Sequence, residues 1–183
     1  MKQRLKIVAY TDGACKVNPG RGGWGFTYSF KLNDKVEMEW ARCGGKMKTT
    51  NNEMELTAFI EFLKTAPKNS DITVYSDSKY VLNGLNKNWK CEEIVFKRRK
   101  LSKNKEEGEV VFTGWLNNWI KNGWKKKGGP ILNLKLWKVL VEECKAHLRS
   151  GSTINCIWVK GHSKNKGNDL ADKLANIGVP KRN

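Results

Sequence analysis

Leu5-Lys6-Ile7-Val8-Ala9-Tyr10-Thr11-Asp12 alternates in character, with Leu5, Ile7 and Ala9 on one side and Lys6, Val8, Tyr10 and Asp12 on the other. A period of two marks a strand, and here the strand closes on an acid immediately before Gly13. Working outward, Asn18-Pro19-Gly20-Arg21-Gly22-Gly23 reads as a turn. Trp24–Leu32 is a second strand, rich in aromatic and β-branched residues. Asn33-Asp34 breaks the chain in hairpin fashion, and Lys35–Cys43 is a third strand. The chain therefore opens as an antiparallel meander.

The pattern then changes period. Thr50 and Glu53 have capping-box spacing, so a helix is expected over Met54–Thr65, stopped by Pro67. Ile72–Ser76 is a short buried strand and Ser78–Asn86 a short helix. Lys87–Glu109 is charged and shows neither period. Gly114–Asn122 reads as helix, Gly123–Pro130 as a basic loop, Asn133–Arg149 as a long amphipathic helix, Ile154–Val159 as a strand and Gly167–Ile177 as a final helix. This order predicts an α/β domain, a mixed sheet with helices on its faces.

Composition bounds the function. The 183 residues suit one domain, and 39% hydrophobic residues with eight tryptophans supply a core. The longest uncharged stretch, Val110–Ile120, has 11 residues, whereas a spanning helix needs about 20. Met1–Lys6 lacks the apolar run of a secretory signal. The five cysteines include no CxxC pair and there are two histidines, so free thiols in a reducing, intracellular compartment are expected and a zinc site is not. A net charge of +17 points to a polyanion, nucleic acid before membrane. Thirteen basic and five acidic residues lie in Lys87–Lys135, so +8 of the excess is concentrated there.

The acids stand apart from that charge. Asp12 and Asp77 close strands, Glu55 sits just inside the first long helix, and Asp172 lies in the last one. Sites in α/β sheets favour the carboxyl ends of parallel strands, and hard divalent cations need clustered oxygens. Single acids at strand ends are more often turn formers or caps. Gly20-Arg21-Gly22-Gly23-Trp24-Gly25 fits GxGxxG, but Phe26-Thr27-Tyr28-Ser29-Phe30 follows as strand where a dinucleotide site needs a helix.

Four blocks resemble ribonuclease H of type 1. They are Tyr10-Thr11-Asp12-Gly13-Ala14-Cys15 with Asn18-Pro19-Gly20, Thr49-Thr50-Asn51-Asn52-Glu53-Met54-Glu55, Ser76-Asp77-Ser78-Lys79-Tyr80, and Trp158-Val159-Lys160-Gly161-His162-Ser163 with Asn168–Ala175. The resemblance runs from about Leu5 to Gly178 as a single domain, with a basic insertion at about 87–112 and a basic handle at about 113–135. It implies the ribonuclease H-like five-stranded mixed sheet, an antiparallel meander followed by parallel strands, flanked by helices. It implies hydrolysis of the RNA strand of RNA–DNA hybrids by two Mg²⁺ ions, with Mn²⁺ as a substitute, leaving 5′-phosphate and 3′-hydroxyl ends. Asp12, Glu55, Asp77 and Asp172 match the metal carboxylates, and His162 matches a residue assisting proton transfer or product release. Asn18, Thr50, Asn51, Asn52 and Lys79 match substrate contacts, although glutamine is common at the Lys79 position. Trp115, Trp119, Trp124 and Lys125, Lys126 and Lys127 resemble the substrate handle, with Trp115 and Trp119 expected to be partly structural. A monomer without an obligate protein partner is implied. The competing readings are a catalytically weak hybrid-binding protein and another metal-dependent nuclease of the same superfamily.

Overall fold

The computed structural model describes residues 4–32, 35–86, 92–93, 95–102, 105–161 and 165–182, with backbone alone for 32, 35–37, 92–93, 95–102 and 105–111. In chain order the elements are β1 (Leu5–Cys15), β2 (Gly20–Leu32), β3 (Lys35–Thr49), α1 (Asn51–Thr65), β4 (Ser70–Ser76), α2 (Lys79–Leu85), β5 (Glu92–Glu93), β6 (Val95–Ser102), β7 (Lys105–Val111), α3 (Trp115–Lys121), α4 (Leu134–Arg149), β8 (Thr153–Trp158) and α5 (Lys166–Gly178). The break expected at Asn33-Asp34 lies outside the described residues.

The main sheet has the order β3-β2-β1-β4-β8-β5. Its five long strands are those expected: β1, β2 and β3 form the antiparallel meander, while β4 and β8 join β1 in parallel. The two-residue β5 adds a short antiparallel edge on β8. The GxGxxG stretch lies entirely within β2, so no helix start receives a pyrophosphate there.

One face of the sheet is apolar. Ile7, Ala9, Phe26, Ile72, Val74, Ile154 and Cys156 are buried against Phe59, Phe62 and Leu63 of α1 and Trp137, Leu140 and Cys144 of α4. Helix α1 lies between the sheet and α4, which explains why it is apolar on most of its circumference. Thr50 caps it, its Oγ1 accepting from Glu53 N at 3.3 Å. Glu53 turns away from the reciprocal half of the capping box and pairs with Lys46 Nζ at 2.7 Å.

His147 is structural. It is fully buried, with Nε2 2.7 Å from the Leu63 carbonyl and Nδ1 3.4 Å from Ser152 Oγ. Burial lowers its pKa below the ordinary value, so it sits neutral in the core. Among the described residues Cys15, Cys43, Cys144 and Cys156 are free thiols, while Cys91 lies outside them. No described helix is long and apolar enough to cross a membrane.

Within the stretch that showed no period, Val95–Ser102 and Lys105–Val111 pair antiparallel as a second, two-stranded sheet, β6 against β7. Its register sets Lys97 opposite Glu109, Arg99 opposite Glu107 and Lys100 opposite Glu106, with Arg98 opposite Gly108. Opposite charges placed across a pair favour one register. Three of the insertion's eight basic residues thus have an acid in register with them.

Candidate active site

Three elements bring the acids together. β1 and β4 are adjacent and parallel with Tyr10 level with Tyr75, and the two rings stack at 5.0 Å. Asp12 and Asp77 are each two residues further on, so strand periodicity puts them side by side on the same face. The start of α1 crosses β1 at Gly13, where a Cβ would stand 2.2 Å from Glu55 N. Only a residue without a side chain lets the helix settle this closely. Ligand-capable oxygens of Asp12, Glu55 and Asp77 consequently all lie within 4.8 Å of one another.

The cluster is held by neutral donors. Gly13 N–H donates to Asp12 Oδ1 at 2.7 Å, and Asn51 Nδ2 donates to Glu55 Oε1 at 3.3 Å. Asp12 is 6% and Glu55 7% exposed. Burial, then the charge of Asp77, pushes Asp12 up to about 7. Burial, then Asp12 and Asp77, raises Glu55 well above the usual carboxylate range. Buried like charges at such separation demand protons or a cation, and an all-oxygen donor set suits a hard divalent ion. The residues present therefore fit a metal.

Protons and cation compete for the same oxygens, which fixes a sign. Metal affinity is expected to fall as pH drops through about 7, where Asp12 takes up its proton. Below that pH binding should release protons. Calorimetric titration in two buffers of different ionisation enthalpy checks both, and pH-independent affinity would remove Asp12 from the binding set.

Asp172 stands outside the three-carboxylate group. Its Oδ1 accepts from Asn176 Nδ2 at 3.0 Å, one turn along α5, although its charge still helps raise Asp12. His162 lies outside the described residues. Asn18 Oδ1 accepts from Asn51 N at 3.3 Å, tying the β1–β2 turn to the start of α1. Thr50, Asn51 and Asn52 follow one another there, with Asn52 exposed. Exposed Lys79 opens α2, its Nζ 5.6 Å from the centre of the Trp158 ring.

The handle packs against the same end of the core. Trp115 meets Tyr80 at 5.9 Å and Trp119 at 5.8 Å, and Trp119 meets Trp137 edge-on at 5.6 Å. Trp137 Nε1 donates to Tyr80 Oη at 3.0 Å, which fixes the tyrosine. Tyr80, Trp115, Trp119, Lys126 and Leu132 line a groove of about 320 Å³. Trp115 is 40% exposed while its ring packs on Tyr80 and Trp119. Trp124 is half-buried at φ 63°, with Lys138 Nζ 5.5 Å from its ring centre. Lys125, Lys126 and Lys127 are exposed. Sequence reading missed Tyr80, which lies within the Asp77 block but carries no charge and no metal-binding atom.

A mixed sheet with buried acids gathered where β1 and β4 end, under the start of a helix, defines a ribonuclease H-like α/β protein equipped for a divalent cation. The RNase H family model matches residues 4–112 and 109–179. The ribonuclease H of Hahella chejuensis is 39% identical over 174 residues, covering 94% of this chain and 93% of that one. The ribonuclease H of Rickettsia bellii is 40% identical over 178 residues, covering 96% and 90%. The fold is similar to that of the crystal structure of LC9-RNase H1, with a TM-score of 0.68 at 22% identity over 97% of this chain and 73% of that one. The prototype foamy virus RNase H domain gives a TM-score of 0.60 at 23% identity over 97% and 96%. The chain belongs to the RNase H family and is an enzyme of it, in a family whose members depend on metal.

Proposed function

We propose that this protein hydrolyses the RNA strand of RNA–DNA hybrids with two Mg²⁺ ions, Mn²⁺ substituting, leaving 5′-phosphate and 3′-hydroxyl ends. The observation that carries this reading is the Asp12–Glu55–Asp77 cluster, whose oxygens lie within 4.8 Å of one another in a chain of the RNase H family. These three residues hold the ions, and Asp172 at the rim completes the set. Bound there, the ions would lower the pKa of a water and stabilise the departing oxygen.

The chain's own residues bind and orient. Asn51 keeps Glu55 turned toward Asp12 and, with Asn18 and Asn52, faces the strands beside the scissile phosphate. Thr50 holds a phosphate of the DNA strand. The 2′-hydroxyl, donor and acceptor at once, distinguishes the strand to be cut. Trp115, Trp119 and Lys126 take the sugar–phosphate backbone along the aromatic groove, and Lys79, Trp124, Lys125 and Lys127 add positive or apolar surface beside it. His162 assists proton transfer or product release. The working unit is a monomer.

With Mg²⁺ and end-labelled substrates, the RNA of a hybrid should be cut while single-stranded RNA and duplex DNA stay intact. Failure of well-folded protein to cut the hybrid would remove the reading, and equal cutting of all three would point to a general nuclease.

A further inference from the structure

Resting on the metal reading above, we infer that Gly161 is a positioning residue for Asp77: its missing side chain makes the space in which the Asp77 carboxylate reaches the cluster. The backbone does not ask for glycine at 161. Among the described glycines only Gly123, Gly128, Gly129 and Gly151 have positive φ. An added Cβ at 161 would lie 2.5 Å from Asp77 Oδ2, 3.5 Å from its Cγ and 3.7 Å from its Cβ. All three nearest atoms belong to this one acid.

Asp77 cannot answer by moving its backbone. Ser76 is in register with Trp158 across the parallel β4–β8 pair. Val159 N–H donates to the Ser76 carbonyl at 3.1 Å, and Trp158 Nε1 donates to the Asp77 carbonyl at 3.3 Å. Ser78 N–H donates to Ser76 Oγ at 3.2 Å on the other side. Within Asp77, the carboxylate end is therefore the part that yields. Rotating a side-chain end needs no movement of the main chain, but it draws a ligand oxygen out of a group that spans only 4.8 Å. Stability and metal binding are thereby separated at this position.

The test is Gly161→Ala in the full chain, read by thermal melting without metal and by calorimetric titration with Mg²⁺ and Mn²⁺. The melting temperature should be unchanged or slightly raised, because alanine narrows the unfolded ensemble. Metal affinity should fall about 10- to 100-fold, the size of effect seen when the support of a ligand is lost. The Mg²⁺ concentration for half-maximal hybrid cleavage should rise in step, with activity recovering at high Mg²⁺. Metal affinity equal to that of the unsubstituted protein would overturn the inference. A lowered melting temperature would overturn it equally, since something other than a side-chain end would then stand in the way. Absence of metal binding by the unsubstituted protein would take down the metal reading and this inference with it.

Discussion

Asp12→Asn is expected to abolish hybrid cleavage while leaving hybrid binding intact and the fold as stable as before, or more so. Asparagine keeps the shape of the side chain and an oxygen for the Gly13 N–H, which donates to Oδ1 at 2.7 Å. What disappears is the negative charge at the middle of the cluster. Losing a metal ligand there removes roughly 4 kcal/mol or more of transition-state stabilisation, about a thousandfold in rate. Stability should move the other way. The folded pKa of Asp12 is raised from 3.8 to about 7, first by burial and then by Asp77. A raised carboxylate weakens the fold increasingly as pH climbs from 3.8 to about 7, because the folded state binds the proton more tightly than the unfolded chain. At pH 8 without metal the variant should therefore melt no lower than the unsubstituted protein. Cleavage within tenfold of the unsubstituted rate would sink the role assigned to Asp12. Joint loss of binding and cleavage with a lowered melting temperature would indicate misfolding instead.

Gly13→Ala is expected to damage the fold and the site together. Its Cβ would meet Glu55 N at 2.2 Å, the Met54 carbonyl carbon at 2.6 Å and Glu55 Cα at 2.8 Å. These are backbone atoms of α1, so no rotamer change relieves the clash. The helix must lift from β1, and Met54, Leu56, Phe59, Phe62 and Leu63 must lift with it from the core. Overpacking of this kind costs about 1–3 kcal/mol, at the upper end where backbone must shift. Glu55 moves with the helix, so metal binding should weaken as well. Urea denaturation and metal titration together check this, and an alanine variant of unchanged stability would refute the close helix–strand approach. The contrast with Gly161 is physical: there the obstacle is a carboxylate end that can rotate, whereas here it is a main chain that cannot.

Much of the sheet was legible along the chain because one face of it is buried. Ile7 and Ala9 alternate with Val8 and Tyr10, and the pattern survives without any knowledge of neighbours. Strand ends were less legible. β2 begins at Gly20 and β3 continues to Thr49, beyond the apolar alternation, because pairing such as Cys15 with Gly22 and Gly22 with Lys46 extends them. The insertion was opaque for a related reason. Its basic run, Lys97–Lys100, and its acids, Glu106, Glu107 and Glu109, form separate blocks, and the order appears only when they are seen in register. Within the site, Asp12, Glu55 and Asp77 were nominated by their places in the motif blocks, since an acid closing a strand or opening a helix is by itself more often a turn former or cap. Tyr80 and Gly161 were not singled out, because a hydroxyl that receives Trp137 Nε1 and a space that Asp77 fills have no local signature.

Outside the insertion, the sequence by itself determined the element types, and with them the four motif blocks and therefore the family, since period, capping and residue order are properties of the chain. It also determined that +8 of the +17 excess charge lies between Lys87 and Lys135. Only the tertiary structure decided which acids meet. Asp12, Glu55 and Asp77 converge, and Asp172 is taken up by Asn176 at the rim. That outcome depends on how closely α1 can approach β1 over Gly13 and how closely Gly161 can approach Asp77, distances of a few ångströms set by packing between segments far apart in the chain. A metal centre is defined at that scale, so spacing along the sequence nominates its ligands and the packing of the helix and loop over the strands chooses among them.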